Sequence, residues 1–421
     1  MAFGPTRGLY GVALTLPTIV WAIGVDQAAS FQIVADEELG IDARTLGIGL
    51  GFGVLSVPLQ LWAARLPLWQ ARRNLQIFLA VTGLLAWALA ALVVFAPPAS
   101  PWATAALAIA VTGEIVLSVF YATAWQPLQS YVLTSHQRQR IGSWWRAAGM
   151  TVLALSLVAF GAANTAGRVA LLLFLGALGV GLAVLVRPVP APPRPTSTPA
   201  DAEPAPAAGR ARLPREFVAL CVTAAITTAT GWPLFVTYAA DVLWPTVNLG
   251  LLAATQIGGG VVAGLAWRTT VTGLPSRARL GAVGLLLSGS VVAVIDAPVT
   301  GGAAGAATLA AAAVFSLSLT TLLVAMMELA HQVLDHDVTV RAFTIYDVVA
   351  STAMQVGLLI AGFLVAASSG SGWPVDPYRL YVVAGAAAVL LTTCRRGWPG
   401  PHRASRPTPT TGSDRDPVAT G

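Results

Sequence analysis

Lysine is absent from the 421-residue chain, whose 24 basic residues are all arginine, and charged residues of both signs make up only 10% of it. Soluble domains carry about 25% charged residues. A soluble globular enzyme with this balance would leave large apolar patches facing water. The scarcity of charge, together with 56% hydrophobic residues and a mean hydropathy of +0.73, therefore indicates an all-α polytopic membrane protein.

Cysteine and histidine are also scarce, with two and four residues. Cys221 and Cys394 lie in apolar stretches and are interpreted as small buried hydrophobes rather than as a disulfide or metal pair. No HExxH, CxxC, GxSxG or P-loop pattern occurs, so we expect no enzyme, metal site or cofactor. The pI near 9.9 comes from arginines in loops rather than from a basic stripe, so nucleic-acid binding is not expected.

Apolar runs near 20 residues, bounded by charge or by Pro and Gly, predict twelve transmembrane helices. They cover residues 8–35, 45–63, 74–96, 102–125, 142–163, 167–186, 216–241, 247–267, 278–298, 304–329, 342–367 and 377–394. A proline-rich segment separates the sixth run from the seventh, and its composition is typical of a flexible linker. The predicted organisation is two six-helix bundles, a linker and a tail: a bundle over 1–187, a cytoplasmic linker over 188–215, a bundle over 216–394 and a disordered cytoplasmic tail over 395–421.

Arginine placement predicts the orientation, because cytoplasmic loops carry an excess of positive charge. With the N-terminus in the cytoplasm, three of the 24 arginines face outward: Arg44, Arg168 and Arg379. The reverse orientation would place the other 21 outside. We therefore expect both termini in the cytoplasm of a bacterial-type cell, with the chain integral to its plasma membrane.

A weak internal repeat supports the division into halves. Residues 125–149 match residues 326–350 at an offset of 201, which pairs Arg140 with Arg341 and Arg146 with Asp347. Two similar halves joined by a long cytoplasmic linker are expected of repeat-built transporters.

The loop after the second predicted helix reads AARLPLWQARR, in which Leu66, Arg72 and Arg73 fit a Gly-x-Leu-Ala-Asp-Arg-x-Gly-Arg-Arg type signature. With twelve helices and a central linker, the chain resembles the major facilitator superfamily over almost its whole length. Leu68 stands at the aspartate position, so the gating salt bridge of that aspartate is not carried over. The resemblance implies a functional monomer with a cavity between the halves, lined mainly by helices one, four, seven and ten, and alternating access by rocking.

Two carboxylic acids lie deep within predicted helices, away from the helix ends: Asp26 in the first and Glu114 near the middle of the fourth. Insertion of an acid at a helix centre costs roughly 2.5–3.5 kcal/mol, so such residues are functional candidates. Both are predicted to couple transport to protons. The alternatives are that Asp26 is a solvated acid near the outer interface and that Glu114 is a permanently protonated group bonded to a backbone carbonyl.

Hydroxyl and aromatic side chains on the cavity helices are predicted to contact the substrate. They are Thr18, Ser30, Ser118, Tyr121, Thr227, Trp232, Tyr238, Ser316 and Thr320. Trp232 is the preferred aromatic, because Pro233 next to it predicts a helix break. For each Ser and Thr the alternative is ordinary helix–helix packing.

Charged residues at the cytoplasmic ends of helices form a predicted gate. They are Arg72, Arg73, Arg140, Arg146, Glu328, Arg341 and Asp347. Ion pairs among them would hold one conformation closed and break in the other. The alternative is control of topology and solvation of the surface.

No arginine or histidine lies near a predicted helix midpoint, and an anionic substrate would usually need such a cationic group. The sequence therefore favours a neutral or cationic small molecule, and proton-coupled export of a drug or secondary metabolite. Against export, the Gly-Pro signature of the family's antiporters is missing from the fifth helix. The alternatives are proton-coupled uptake of a sugar- or nucleoside-like solute, and a non-transporting membrane sensor or assembly factor. The expected partners are the substrate, protons and the lipid bilayer.

Overall fold

The structure is a computed structural model. It describes residues 33–63, 66, 68–98, 100–109, 128, 151, 154–190, 213–243, 248–266, 273–295, 302–333, 339–370, 375–395 and 398–399. Within these ranges every regular element is helical, as the composition predicts.

Five of the described helical segments precede the linker, in addition to the short π-helix Val34–Glu38 and the 3-10 turn Leu68–Gln70. They are α1 (Ala43–Gly51, the 3-10 stretch Phe52–Ser56 and Val57–Ala63), α2 (Ala71–Phe95), α3 (101–109), α4 (154–162) and α5 (Thr165–Leu185). Each coincides with all or part of a predicted span, from the second to the sixth.

Among the residues that the structure describes, seven helical segments follow the linker. They are α6 (Arg215–Thr230), α7 (Phe235–Tyr238, continuing as the π-helix Ala239–Leu243), α8 (Leu249–Ala266), α9 (Leu274–Val294), α10 (Gly302–Val333), α11 (Thr339–Gly370) and α12 (Pro377–Cys394). The seventh predicted span is divided into α6 and α7, and the remaining five spans correspond to one helix each.

Seven segments of the described part are long and apolar enough to cross a membrane. They are Ala71–Phe95, Thr165–Leu185, Arg215–Leu243, Leu274–Val294, Ala304–Ala330, Ile345–Ser368 and Pro377–Cys394. Their outer surfaces expose large apolar side chains, among them Phe95, Phe174 and Leu391, which water would not favour. The chain is therefore an integral membrane protein.

Glycine allows several of these helices to pack with their backbones close together. A Cβ atom on Gly83 of α2 would lie 2.6 Å from the Gly176 carbonyl oxygen of α5. One on Gly259 of α8 would lie 2.4 Å from the Ala313 carbonyl oxygen of α10. Helix α11 packs against both α6 and α1.

The cysteine prediction is correct at one position and wrong at the other. Cys221 is buried in α6, whereas Cys394 is exposed because it is the last residue of α12. Both thiols are free.

Candidate functional site

The seventh predicted span is broken between Thr230 and Phe235. On either side of Pro233, Trp232 and Leu234 both have a φ of 57°. This left-handed conformation is rare for bulky side chains and costs on the order of 1–3 kcal/mol per residue. Proline also removes a backbone N–H, so the helix cannot continue through this point.

Two tyrosines of α12 satisfy carbonyl groups at the break. The Tyr381 hydroxyl donates to the Ala229 carbonyl at 2.6 Å, and the Tyr378 hydroxyl donates to the Pro233 carbonyl at 2.7 Å. A carbonyl that loses its helical partner inside a membrane has no water to bond, so each of these hydrogen bonds stabilises the broken conformation.

An aromatic stack covers the break. The Trp232 ring lies on Phe315 of α10 with the ring centroids 4.3 Å apart and the planes 16° from parallel. Phe235 packs beside it with a centroid distance of 4.2 Å. Only 3% of Trp232 is exposed, so the indole fills the space between the break and α10 in this conformation.

A network of charged and hydroxyl groups surrounds the start of α12. Asp376 accepts hydrogen bonds from the Tyr238 hydroxyl at 2.5 Å and from the Ser368 hydroxyl at 2.6 Å, and it caps the helix through two backbone N–H groups. The Arg379 guanidinium lies 3.3 Å from Asp376 and donates to the Tyr238 hydroxyl at 2.8 Å. Tyr238, predicted to line the cavity, has its hydroxyl engaged here.

A second charged cluster was missed by the sequence analysis. Arg168, near the start of α5, donates to the Glu37 carboxylate, to the Glu38 carboxylate at 2.6 Å and to the Phe160 carbonyl at 2.9 Å. The Thr165 hydroxyl donates to Glu38 at 3.0 Å. The sequence shows Arg168 near the start of one predicted helix and the acids Glu37 and Glu38 in a distant loop. Nothing in this pattern indicates that the arginine and the two acids are partners.

Both clusters lie at the same end of the helices, which we call the acidic end. It is defined by five acids: Glu37, Glu38, Asp42, Asp241 and Asp376. Two arginines there, Arg168 and Arg379, are paired with these carboxylates.

Close backbone contacts near the acidic end join helices before the linker to helices after it. A Cβ atom on Gly47 of α1 would stand 2.7 Å from the Gly362 Cα of α11, and one on Gly161 of α4 would stand 2.5 Å from the Gly250 Cα of α8. We call these two contacts the glycine seams. A real Cβ does not fit at such distances, so all four positions require glycine as long as the helices keep this spacing.

Polar groups border both seams. The Asn248 side-chain amide donates to the Gly161 carbonyl at 3.2 Å. The Arg44 guanidinium lies 5.2 Å from the centre of the Phe363 ring, within reach of a cation–π interaction. The residues at the seams are thus held by packing and weak polar contacts.

The other described cavity candidates make contacts within or between helices. The Thr227 hydroxyl donates to the Thr223 carbonyl of its own helix at 2.7 Å. The Ser316 hydroxyl accepts from the Gly260 N–H at 2.9 Å, and a Cβ on Gly260 would lie 2.8 Å from the Thr320 hydroxyl. Six candidates lie outside the described residues: Thr18, Asp26, Ser30, Glu114, Ser118 and Tyr121.

The described members of the predicted gate are placed separately. The Arg72 guanidinium donates to the Arg187 carbonyl at 3.3 Å and to the Val189 carbonyl at 3.2 Å, just beyond the end of α5. Arg73 is exposed on α2, and Arg341 lies in the first turn of α11. Glu328 on α10 and Asp347 on α11 are half-buried. Arg140 and Arg146 lie outside the described residues. Among the described side chains, no ion pair joins two members of the set.

No family model matches the chain, and no curated protein matches it either. Solved structures do. The nucleoside transporter NupG, as a point mutant, gives a TM-score of 0.61 at 9% identity, with 92% of this chain and 98% of that chain covered. A bacterial homologue of the human lysosomal transporter Spinster, inward-facing and occupied, gives 0.60 at 14% identity, with 93% and 96% covered.

A bacterial homologue of the iron transporter ferroportin, in an outward-facing state, gives a TM-score of 0.61 at 15% identity, with 92% of this chain and 97% of that chain covered. These identities are too low to transfer a cargo, and the printed cargoes differ from one structure to the next. The likeness shows the fold. The chain has the major facilitator fold that its sequence resemblance implies.

Proposed function

We propose that the protein is a secondary transporter of the major facilitator type, which moves a small neutral or cationic molecule across the membrane by alternating access, coupled to protons. The observation that carries this proposal is the pair of glycine seams. They join segments before the linker to segments after it near one end, as expected for two bundles that close over a central cavity.

The seams are related by the internal repeat, which supports two six-helix bundles and twelve spans. Gly47 and Gly250 stand 203 residues apart, and Gly161 and Gly362 stand 201 apart, close to the offset of the loop repeat. The repeat relates Gly47 to Gly250 and Gly362 to Gly161. It therefore exchanges one seam for the other, as expected for two halves related by a pseudo-two-fold axis. The domain boundaries predicted from the sequence fit this division.

The seams also suit a contact that must open. Small residues let backbones meet through van der Waals packing, and two packed arrangements of such helices differ by little free energy. With both termini in the cytoplasm, the acidic end faces outward. The conformation described here is then the one closed to the outside.

The charges favour a neutral or cationic substrate. Arg168 and Arg379 lie at the acidic end and are paired with carboxylates, so neither offers a cationic fork to an anion in the membrane centre. Export of a drug-like or secondary-metabolite compound remains the preferred direction. Uptake of a nucleoside-like solute is the second candidate, because one structure of the same fold is described as a nucleoside transporter.

Proton coupling is tested in proteoliposomes that contain the full chain and carry an imposed pH gradient. Lipophilic cations, nucleosides and sugars are added in turn, and the collapse of the gradient is followed with a pH-sensitive dye. We expect one compound to move protons in the wild type, and Asp26→Asn or Glu114→Gln to reduce this proton flux at least about tenfold, because an amide cannot carry the proton.

The matched control is Asp42→Asn, which removes an exposed carboxylate at the acidic end outside the spanning segments, keeps an acceptor for the Thr45 N–H, and should leave the flux unchanged. The direction of proton movement relative to substrate distinguishes export from uptake. If labelled substrate equilibrates without proton movement, the protein is a uniporter and the assignment of the two acids is wrong. If no compound moves, and cutting the linker or the tail abolishes a signalling output instead, the protein is a sensor.

A further inference from the structure

The most strained backbone in the described residues carries a large aromatic side chain. Trp232 and Leu234 both have a φ of 57°, and both lie within a segment that crosses the membrane. Strain of this kind persists only where surrounding contacts impose it, and it is concentrated at functional sites. If this conformation served only to interrupt the helix, glycine at positions 232 and 234 would adopt the same positive φ with less strain.

The contacts that impose this backbone come from one helix. Tyr381 holds the last turn of α6 through the Ala229 carbonyl, and Tyr378 holds the break itself through the Pro233 carbonyl. Tyr378 is fully buried and its ring packs on Tyr238 at a centroid distance of 4.3 Å. Through Tyr238 the break is connected to the Asp376 network at the acidic end.

The position of the aromatic stack fits the top of a substrate cavity. Trp232 follows Arg215, the first residue of α6, by 17 residues, which places it about 25 Å along the span from its inner end. Phe315 comes from α10. These are the seventh and tenth predicted spans, the two described spans that the resemblance to major facilitators places at the cavity. The stack therefore lies in the outer part of these two spans, toward the acidic end.

We propose that Trp232 and Phe315 form the roof of the substrate site, that the substrate carries a planar aromatic ring, and that Tyr378 and Tyr381 are positioning residues for the indole. This inference rests on the proposed transport function and deepens it. Trp232 offers a flat π-face, which attracts another planar ring by stacking and attracts it more strongly when the ring bears a positive charge. The ring of the substrate takes the place of Phe315 on the indole.

The role of the tyrosines follows from the geometry. Without its hydroxyl bond, each carbonyl at the break loses its partner, and the backbone at Trp232 and Leu234 relaxes from its positive φ to an unstrained, non-helical conformation. The indole then turns away from α10, although no group that touches the substrate has been removed. Tyrosine-to-phenylalanine changes should therefore weaken substrate binding while leaving the maximal rate nearly unchanged.

The test measures transport of three probes by the full chain in proteoliposomes: uridine, ethidium and glucose. We expect the wild type to move uridine or ethidium and to exclude glucose, whose ring is not planar. Trp232→Leu should raise the KM of the transported probe about tenfold, whereas Trp232→Phe keeps a planar face and should raise it less. Tyr378→Phe and Tyr381→Phe should each raise it about fivefold, with kcat within a factor of two.

The control is Tyr346→Phe, a buried tyrosine of α11 remote from the break, which should leave KM unchanged. Melting temperatures within a few degrees of the wild type show that each variant is folded. A wild type that moves glucose and neither planar probe overturns the inference but leaves the transporter proposal standing. Unchanged KM values in Trp232→Leu, or equal effects of Tyr346→Phe and Tyr381→Phe, overturn it as well. A wild type that moves none of the three contradicts both proposals.

Discussion

Replacing Gly362 with valine should reduce transport by about tenfold to a hundredfold. The new Cβ would stand 2.8 Å from the Gly47 Cα and 2.9 Å from the Ala43 carbonyl oxygen. Both are backbone atoms that cannot rotate away, so α1 and α11 must separate near the acidic end. Because overpacking of this kind typically costs about 1–3 kcal/mol, a closed state only slightly more stable than the alternatives becomes a minor state.

The second seam supplies an independent copy of this experiment. Gly161→Val should have the same effect, since its Cβ would lie 2.5 Å from the Gly250 backbone. Gly258→Val and Gly181→Val are the matched controls, because each is helical and an added Cβ meets no atom within 4 Å. Flux is measured in proteoliposomes and folding by thermal unfolding in detergent. Wild-type flux from a correctly folded Gly362→Val protein would show that the seam is not part of the transport cycle.

Removing the guanidinium of Arg168 should lower the free energy of unfolding by about 3 kcal/mol. Arg168→Met leaves two carboxylates facing each other without their cation, and the side chains of Arg168 and Glu38 are each only 8% exposed. Breaking a buried ion pair on one side typically costs 3–5 kcal/mol, and the lower figure applies because Glu37 is 31% exposed. Denaturant titration in detergent measures the loss.

Two further variants separate the ion cluster from a general loss of charge. Arg44→Met removes an exposed arginine that only approaches an aromatic ring, and it should cost less than about 1 kcal/mol. In the triple variant Arg168→Met/Glu37→Gln/Glu38→Gln no unpaired charge remains, so most of the stability should return. If the triple variant is as unstable as Arg168→Met, the loss of stability comes from the lost packing of the Arg168 side chain and not from unpaired carboxylates.

Helix positions could be predicted well because a membrane imposes one simple requirement. Every span needs a long apolar run, and the ends of such runs are visible as arginine, proline or glycine. The third predicted span, 74–96, corresponds to Ala71–Phe95, and the twelfth coincides with Pro377–Cys394. The break at Trp232 could also be predicted, since Pro233 cannot occupy a helix interior without interrupting it.

Contacts between distant segments could not be predicted in the same way. Tyr378 and Tyr381 meet the break across about 145–152 positions of sequence, and Arg168 meets Glu37 across 131. Polar residues on a helix give no sign of their partner, because one hydroxyl or guanidinium fits many acceptors. The same limit affected the gate prediction at Arg72, whose acceptors are carbonyls just beyond α5 rather than a carboxylate of the other half.

The measurement that tests alternating access most directly is a reversible cross-link across the seam between α1 and α11. Gly51→Cys and Leu359→Cys are introduced after Cys221 and Cys394 are replaced with alanine. A Cβ on Gly51 lies 2.9 Å from the Leu359 Cβ, which a small shift brings to the roughly 3.8 Å of a disulfide. Oxidation should stop transport and reduction should restore it, because the acidic end must open once in every cycle. Undiminished transport by fully cross-linked protein would contradict the account.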